Sequence, residues 1–174
     1  MKARIALPDE PGLTDDQRRV RAAILASRRN LDGPFPAWLH SPELADLAQQ
    51  LGAFCRYRTG LPLLESELLI LCVASHCRCI GEQQIHEPIA RSAGLADDVI
   101  VALRRGERPE LPSRRLQLLH DLARQLLSTH RIGDDVFAAA QAEFGDRLVV
   151  EIVGIIGYYT LAAQTLNAFE MSKE

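Results

Sequence analysis

The sequence predicts an all-α protein made of a single domain, residues 1–174. Apolar residues recur at helical spacing along nearly the whole chain, and no stretch alternates apolar and polar residues as a half-buried strand would. Aromatic residues supply only 5% of the chain, so Leu, Ala and Ile must fill the core. Neither an internal repeat nor a long linker divides the sequence. These observations favour one helical bundle.

The first predicted helices lie in the N-terminal third of the chain. The sequence TDDQ, Thr14–Gln17, has the spacing of a capping box and opens a helix that runs to about Arg29. A loop follows at 30–36, where a glycine and two prolines interrupt the helical pattern. In the sequence SPEL, Ser41 supplies a cap, the proline takes the first helical position and the glutamate lies in the first turn. This helix runs to about Arg58.

The middle of the chain predicts two helices in succession and then a short third one. After a glycine and a proline, one helix starts near Leu64. A second begins close to Cys79 and stops at Gly94, a residue type that is common just after a helix. The segment ADDVIVALRRG, 96–106, has acids at its start and arginines at its end, which suits the dipole of a short helix.

Three further helices complete the chain. From Arg114, the apolar positions keep a strict helical stripe: Leu116, Leu119, Ala123, Leu126 and Leu127. Another helix covers Asp134–Phe144, and the last runs from about Arg147 to Ala168. The last helix is apolar almost all round, so we expect it to be buried in the domain centre or against another subunit. Its longest apolar run, 152–163, is too short to span a bilayer.

Charge and composition narrow the classes of partner. The net charge is −3 and the pI is about 6.0, so no basic excess indicates binding to nucleic acid or to an anionic membrane. The N-terminal segment lacks an apolar core long enough for a signal peptide. We therefore expect a soluble, cytoplasmic protein with reduced cysteines and without nucleic-acid or membrane partners. Two arginine clusters are interleaved with acids, and we interpret both as solvated helix faces and loops: Arg18, Arg19, Arg21, Arg28 and Arg29, and Arg104, Arg105, Arg108, Arg114 and Arg115.

The polar residues of CRCIGEQQIH, 77–86, form the candidate site. If the helix begins near Cys79, then Cys79, Glu82 and His86 project from one face. Glu82 is close enough to hydrogen-bond His86, and a carboxylate beside an imidazole fixes its tautomer and raises its basicity. Glu67, on the preceding helix, returns to the same place if the two helices pack as a hairpin. A solvated polar stripe with a buried structural cysteine fits the same spacing.

Metal and dithiol sites fit this segment less well. His76, Cys77, Cys79 and His86 are ligand types, but Cys-x-Cys near a helix points its sulfurs apart and no second ligand pair follows. A thioredoxin-like site needs Cys-x-x-Cys, and here Glu82 stands three residues after Cys79. A strained disulfide between Cys77 and Cys79 is the remaining redox alternative. We expect no metal and no cofactor.

The segment LLESELLILCVASHCRCIGEQQIHEPIARSAGLADDVIVAL, 63–103, resembles the core of the carboxymuconolactone decarboxylase and alkylhydroperoxidase D-like family. The resemblance extends over roughly 30–170. In the family, one helix carries a Glu. In peroxidase members the next helix carries Cys-x-x-Cys-x-x-x-His, and in decarboxylase-like members a Glu replaces the second Cys of this motif. The matching positions are Glu67, Cys79, Glu82 and His86.

This resemblance implies a helical bundle of the alkylhydroperoxidase D type with its core at about 60–106. It also implies a cofactor-free carboxy-lyase that acts on a small carboxylated lactone, as in aromatic catabolism. His86 would donate a proton, Glu82 would orient it, and Glu67 would position His86 or a water. Possible pocket walls are Trp38, His40, Tyr158 and Tyr159.

Two other functions and an oligomer remain open. Cys79 could act as the attacking thiolate of a peroxidase, with Cys77 or an external thiol to resolve it. The chain could instead be a non-catalytic, ligand-binding homologue. Gly81 and Gln83 stand where much of the decarboxylase-like subfamily has a Tyr and a Trp, so the pocket shape can differ. The family is usually trimeric or hexameric, which implies self-association, while composition alone leaves a dimer equally open.

Overall fold

The computed structural model describes residues 3–6 and 8–172, and every regular element within these ranges is a helix, which confirms the all-α prediction. The outermost residues of the predicted domain, 1–2 and 173–174, lie outside these ranges. A 3-10 turn at Glu10–Gly12 comes first. The α-helices that follow are α1 (Asp15–Arg28), α2 (Phe35–Trp38), α3 (Pro42–Tyr57), α4 (Leu63–His76), α5 (Ile80–Ser92), α6 (Asp97–Arg104), α7 (Arg114–Thr129) and α8 (Asp134–Ala168).

Helix α1 begins as its sequence predicts. Thr14 Oγ1 accepts a hydrogen bond from the Gln17 backbone N–H at 3.3 Å, and Gln17 Oε1 accepts from the Thr14 N–H at 2.8 Å. This reciprocal pair is the capping box, and it satisfies N–H groups that a helix start leaves without partners. The helix ends at Arg28, because Arg29 adopts a left-handed conformation with φ at 65°.

Two details of the N-terminal region differ from the prediction. The short helix α2 lies partly within the predicted loop. Both of its end residues are buried, and the Trp38 indole N–H donates to Thr165 Oγ1 of α8 at 2.9 Å. Tertiary packing therefore orders a turn that the local sequence disfavours. Ser41 precedes α3, but its side chain makes no capping hydrogen bond.

Helix α4 is the centre of the bundle. It packs against α5, α7 and α8, and all of its residues from 65 to 74 are buried. Such a helix has no solvated face, so each polar side chain on it needs a partner within the protein. Glu65 finds one in Arg115, whose Nε donates to Glu65 Oε1 at 2.6 Å. Glu67, which is 0% exposed, is the other buried carboxylate of this helix.

Helices α4 and α5 pack as the expected hairpin, joined by a tight turn at 77–79. Arg78 takes a left-handed conformation with φ at 50°, and the Cys79 N–H donates to the Ala74 carbonyl at 2.8 Å. The Asn167 amide of α8 donates to the Cys77 carbonyl at 2.7 Å. These contacts fix where α5 starts, and hence which of its side chains face α4.

Helix α8 joins two segments that the sequence predicts as separate helices. They meet at Gly145, whose backbone is not helical (φ 73°, ψ 161°). The inner face of α8 is buried, but its outer face is exposed, with Val150 70% and Val153 41% accessible. The rest of the chain therefore does not bury α8 on all sides. By length and composition alone α8 could cross a membrane, but 56% of its apolar window is buried, as in the core helix of a bundle.

Candidate functional site

A cavity of about 290 Å³ opens beside α5. The ends of α1 and α3, the loop before α2, one face of α5 and the middle of α8 form its walls. This volume is near the lower end of the range of small-molecule pockets. Its polar lining residues are Arg28, Asn30, Asp32, Arg56, Tyr57, Glu82, Gln84, His86, Tyr158 and Tyr159.

A buried carboxylate holds the histidine of the site. His86 Nδ1 lies 2.8 Å from Glu67 Oε2, and the two residues are 2% and 0% exposed. A carboxylate oxygen accepts, so Nδ1 donates and Nε2 becomes the free ring nitrogen. The ring also packs edge-on against Tyr159, with centroids 5.2 Å apart. The tautomer and the orientation of His86 are both fixed by its surroundings.

Glu82 lies on the other side of the imidazole. Its Oε2 is 3.3 Å from His86 Nε2, but the contact lacks hydrogen-bond geometry, and this oxygen is buried without a partner among the described residues. Burial raises the pKa of the Glu82 carboxyl, while the nearby His86 and Arg56 oppose that rise. Glu82 therefore favours its protonated form more than an exposed glutamate does. The orienting contact expected from Glu82 is made by Glu67 instead.

Cys79 is separate from this cluster. It is the residue before α5, with φ −92° and ψ 98°, and it is 0% exposed and does not line the cavity. Burial raises the pKa of its thiol to about 11, and the backbone N–H of Glu82 offsets only part of that rise. The structure thus brings Glu67, Glu82 and His86 together, and it leaves Cys79 outside the polar cluster.

The cysteines form neither a disulfide nor a metal site. All four are free thiols, so the alternative of a Cys77–Cys79 disulfide is not realised in this structure. Within residues 3–6 and 8–172, no group of three or more His, Cys, Asp or Glu side chains is arranged to hold a metal ion.

Two arginines line the cavity, and sequence reasoning missed both as site residues. Arg28, interpreted as part of a solvated face, has its Nε and Nη2 buried. A signal existed, because Arg28 continues the four-residue spacing of Val20 and Ile24, which are both 0% exposed. Arg56, near the end of α3, lies close enough to Tyr159 to interact with it electrostatically. These guanidinium groups place positive charge among the residues that line the cavity.

Two of the four expected wall residues line the cavity. Tyr158 and Tyr159 do so, and their rings contact each other edge-on with centroids 5.2 Å apart. Trp38 lies in the core behind Tyr158, at 6.2 Å between ring centroids. The His40 ring is 2.7 Å from the Ala6 carbonyl and does not reach the cavity.

Gly81 accounts for one departure from the subfamily pattern. A Cβ atom on this residue would lie 2.7 Å from the Met171 carbonyl oxygen, which is closer than real Cβ contacts allow. The start of α5 therefore packs directly against the chain that follows α8. A tyrosine at this position would not fit without moving that segment.

The arrangement can store and transfer one proton. Glu67 accepts a hydrogen bond from His86 Nδ1, and the Glu82 carboxyl faces Nε2 at the cavity wall. Groups with this geometry act as general acids and bases on a bound small molecule. Only Glu82 and His86 of the cluster line the cavity, so Glu67 acts through His86.

Two solved structures share this architecture. One, from Ralstonia eutropha JMP134, is described as an alkylhydroperoxidase AhpD core and an uncharacterized peroxidase-related protein. It matches with a TM-score of 0.82 and 18% sequence identity, and the match covers 100% of this chain and 93% of that chain. The other, an uncharacterized peroxidase-related protein from Silicibacter sp. TM1040, has a TM-score of 0.82 and 16% identity, covering 99% and 92%. No protein-family model and no curated protein matches the chain. The chain therefore has the fold of the alkylhydroperoxidase AhpD core.

Proposed function

We propose that the chain is a cofactor-free decarboxylase that uses acid–base chemistry on a small, unsaturated, carboxylated lactone. The observation that carries the proposal is the buried Glu67–His86–Glu82 cluster at the wall of a cavity of small-molecule size. Perturbed carboxyl groups in such a cavity are typical of catalytic acids and bases. The resemblance to the decarboxylase-like proteins, with Glu82 in place of a second cysteine, supplies the substrate class.

In the proposed reaction, the bond between the ring carbon and the departing carboxylate breaks, and its electron pair stays on the lactone. The conjugated carbonyl takes up that pair as a dienolate, and CO2 leaves. One proton then adds to carbon, so the product is the lactone with one carboxylate fewer. The Glu82 carboxyl and His86 Nε2, 3.3 Å apart at the cavity wall, supply this proton, and solvent replaces it.

Glu67 is a positioning residue in this proposal. Its carboxylate holds Nδ1 and stabilises the imidazolium while Nε2 carries a proton. It has no exposed surface, so it does not touch the substrate. The resemblance implied that Glu67 positions His86 or a water and that Glu82 orients His86, whereas the proposal gives the orientation of His86 to Glu67.

Peroxide reduction is the second candidate, because both similar structures are described as peroxidase-related. In that reaction the Cys79 thiolate would attack the O–O bond, forming a sulfenic acid and releasing an alcohol or water. A low-molecular-weight thiol would then have to reduce the sulfenic acid, since Glu82 stands where a resolving cysteine would be. The burial and raised pKa of Cys79 make it a weak nucleophile in this structure.

One experiment separates the two candidates. The parent protein and Cys79→Ser are assayed for CO2 release from a carboxylated unsaturated lactone, and for consumption of an organic hydroperoxide with a thiol reductant. We expect CO2 release by both proteins and little peroxide turnover by either. Peroxide turnover by the parent that disappears in Cys79→Ser, without CO2 release, would overturn the proposal in favour of the peroxidase.

Self-association is a further part of this proposal. The exposed outer face of α8 continues toward exposed leucines on α3, with Leu47 63% and Leu51 48% accessible. Exposed apolar faces of this kind are typical of protein contacts. Light scattering coupled to gel filtration is expected to show an oligomer, and a monomer at micromolar concentration would contradict this expectation.

A further inference from the structure

Arg28 lines the cavity and keeps unused hydrogen-bonding capacity there. Its Nε and Nη2 atoms are buried and have no hydrogen-bond partner among the described residues. The guanidinium lies 4.7 Å from the centroid of the Phe35 ring and 5.9 Å from that of Tyr57. Aromatic faces attract the cation but accept none of its in-plane N–H bonds. Leaving those donors unpaired costs free energy, which a suitable acceptor would recover.

The two unpaired nitrogens define the acceptor. Nε–H and Nη2–H point in the same direction from one edge of the planar guanidinium. Their spacing matches the two oxygens of a carboxylate, which accept them as a pair of parallel hydrogen bonds. A neutral ligand such as a hydroperoxide offers no equivalent pair of anionic oxygens. The free edge of Arg28 is therefore suited to a carboxylate.

Arg56 does not offer the same edge. Its guanidinium lies close enough to Tyr159 and Glu67 to interact electrostatically with both. It is thus already engaged with the catalytic side of the cavity. The other charged groups that line the cavity are Asp32, which accepts a hydrogen bond from the Asn30 amide, and Glu82, whose buried carboxyl favours the protonated form.

Gly52 makes room for a second donor beside Arg28. A Cβ atom at this position would lie 2.1 Å from the Tyr158 hydroxyl oxygen and 2.6 Å from Arg28 Nη2. Because glycine has no Cβ atom, the Tyr158 hydroxyl and the edge of the Arg28 guanidinium can both lie against α3 at this position. Burial raises the pKa of Tyr158, so its hydroxyl keeps its proton and can donate.

We propose that Arg28, assisted by the Tyr158 hydroxyl, is the carboxylate-binding subsite of this cavity and selects small organic carboxylates over uncharged ligands. The Nε and Nη2 atoms of Arg28 are buried in this structure, and the Tyr57 ring, 56% exposed, lies 5.9 Å from the guanidinium at the edge of the subsite. This inference rests on the proposed function only in taking the bound carboxylate to belong to the substrate. Binding itself requires no turnover.

Calorimetric titration with benzoate and with benzamide tests the subsite, because the two probes share a shape and differ in charge. We expect the parent protein to bind benzoate about tenfold or more tightly than benzamide, as for a charge-assisted, bidentate pair. Arg28→Gln and Arg28→Lys should both lose most of this preference, because neither keeps the fork. Arg29→Gln also removes one positive charge, but Arg29 lies outside the cavity, so this variant should keep the preference for benzoate. Equal binding of the two probes by the parent, or a preference that survives in folded Arg28→Gln or Arg28→Lys, would overturn the proposal.

The variant Gly52→Ala gives an independent reading with Arg28 still present. The added methyl group meets the Tyr158 hydroxyl and Nη2, so we expect the preference for benzoate to fall here as well. Thermal unfolding of each variant shows that it is folded. A Gly52→Ala protein that prefers benzoate as strongly as the parent would rule out the Tyr158 part of the subsite.

Failure of this inference and failure of the proposed function give different results. If benzoate binding depends on Arg28 but no lactone releases CO2, the subsite stands and the proposed reaction is wrong. If CO2 release depends on His86 but Arg28→Gln changes neither KM nor benzoate binding, the reaction stands and the subsite is wrong.

Discussion

Two cavities of similar volume each contain a buried histidine. The first, about 290 Å³, contains His86, and the second, about 300 Å³, contains His120. The second cavity is also lined by arginines and a cysteine, at Arg108, Arg124 and Cys72. Both cavities thus combine arginines with a buried histidine, and we compare the partner of each histidine.

His86 is held by a carboxylate that has no other role. Glu67 is 0% exposed and lies 2.8 Å from Nδ1, and a second buried carboxyl, Glu82, faces Nε2. His120 lies 3.2 Å from Asp121, whose side chain is 30% exposed and also pairs with Arg108 at 2.7 Å. A desolvated, dedicated carboxylate couples strongly to an imidazole, whereas a solvated, shared one does not. This contrast is why we place the chemistry at His86.

The largest expected effect is on activity. His86→Gln should lower kcat/KM for CO2 release by about 10²–10⁴-fold, because it removes the group that transfers the proton. His120→Gln, in the second cavity, should change it by less than about threefold. Steady-state CO2 release by the two variants checks this. Equal losses would mean that the two histidines do not differ as described.

The next effect is on stability. Glu67→Ala should lower the free energy of unfolding by about 2–4 kcal/mol, because His86 Nδ1 loses its buried partner and a cavity opens. Asp121→Ala, which removes a partly solvated pair, should cost about 1 kcal/mol or less. Urea denaturation followed by the fluorescence of Trp38, the single tryptophan, measures both. A larger loss in Asp121→Ala would reverse the comparison.

The two cavities also predict opposite dependences of stability on pH. Folding raises the pKa of Glu82 because the carboxyl is buried. As the pH rises above 4.5, the ordinary pKa of a glutamate, the burial of this group therefore costs the folded protein stability. Folding lowers the pKa of His120, again through burial, so its cost appears as the pH falls below 6.5.

Melting temperatures between about pH 5 and about pH 8 test this difference. Relative to the parent, Glu82→Gln should become more stable as the pH rises, and His120→Gln should become more stable as it falls. Parallel profiles for the two variants would show that one of these groups is not buried in the way described.

The smallest effect concerns thiol reactivity. Burial raises the pKa of Cys55 and Cys79 to about 11 and that of Cys72 to about 12, whereas Cys77 is only half-buried. At neutral pH we expect iodoacetamide to label Cys77 first in the native protein, as mass spectrometry would show. Cys77→Ser should remove the fast phase. Labelling of Cys79 at the same rate would favour the peroxidase candidate.

Much of the fold could be predicted because local signals and burial agree there. The capping box at Thr14, the apolar stripe from Leu116 and the glycine that follows α5 all act within one or two turns of helix. Helix α2 escaped prediction because contacts with α8, distant in sequence, order it. The composition of α8 predicts burial in the domain centre or against another subunit, but it does not say which side of the helix the rest of the chain covers.

Spacing predicted that Glu67, Glu82 and His86 meet, but it missed Arg28 and Arg56, which also line the cavity. The spacing of Glu82 and His86 and the hairpin that returns Glu67 were sufficient to assemble the cluster. Cys79 was placed on the same face by counting helical positions, but it precedes the helix and has extended dihedral angles, so that count does not apply to it. Which carboxylate takes Nδ1 depends on how α4 and α5 pack, which spacing along α5 alone does not contain.

The account rests most directly on the state of the His86 ring. Heteronuclear NMR of protein with 15N-labelled histidine distinguishes the two neutral tautomers and follows each ring through its titration. We predict that neutral His86 carries its proton on Nδ1, and that Glu67→Gln perturbs this signal while Glu82→Gln leaves the tautomer unchanged. A neutral His86 with its proton on Nε2, or a tautomer indifferent to Glu67, would contradict the account.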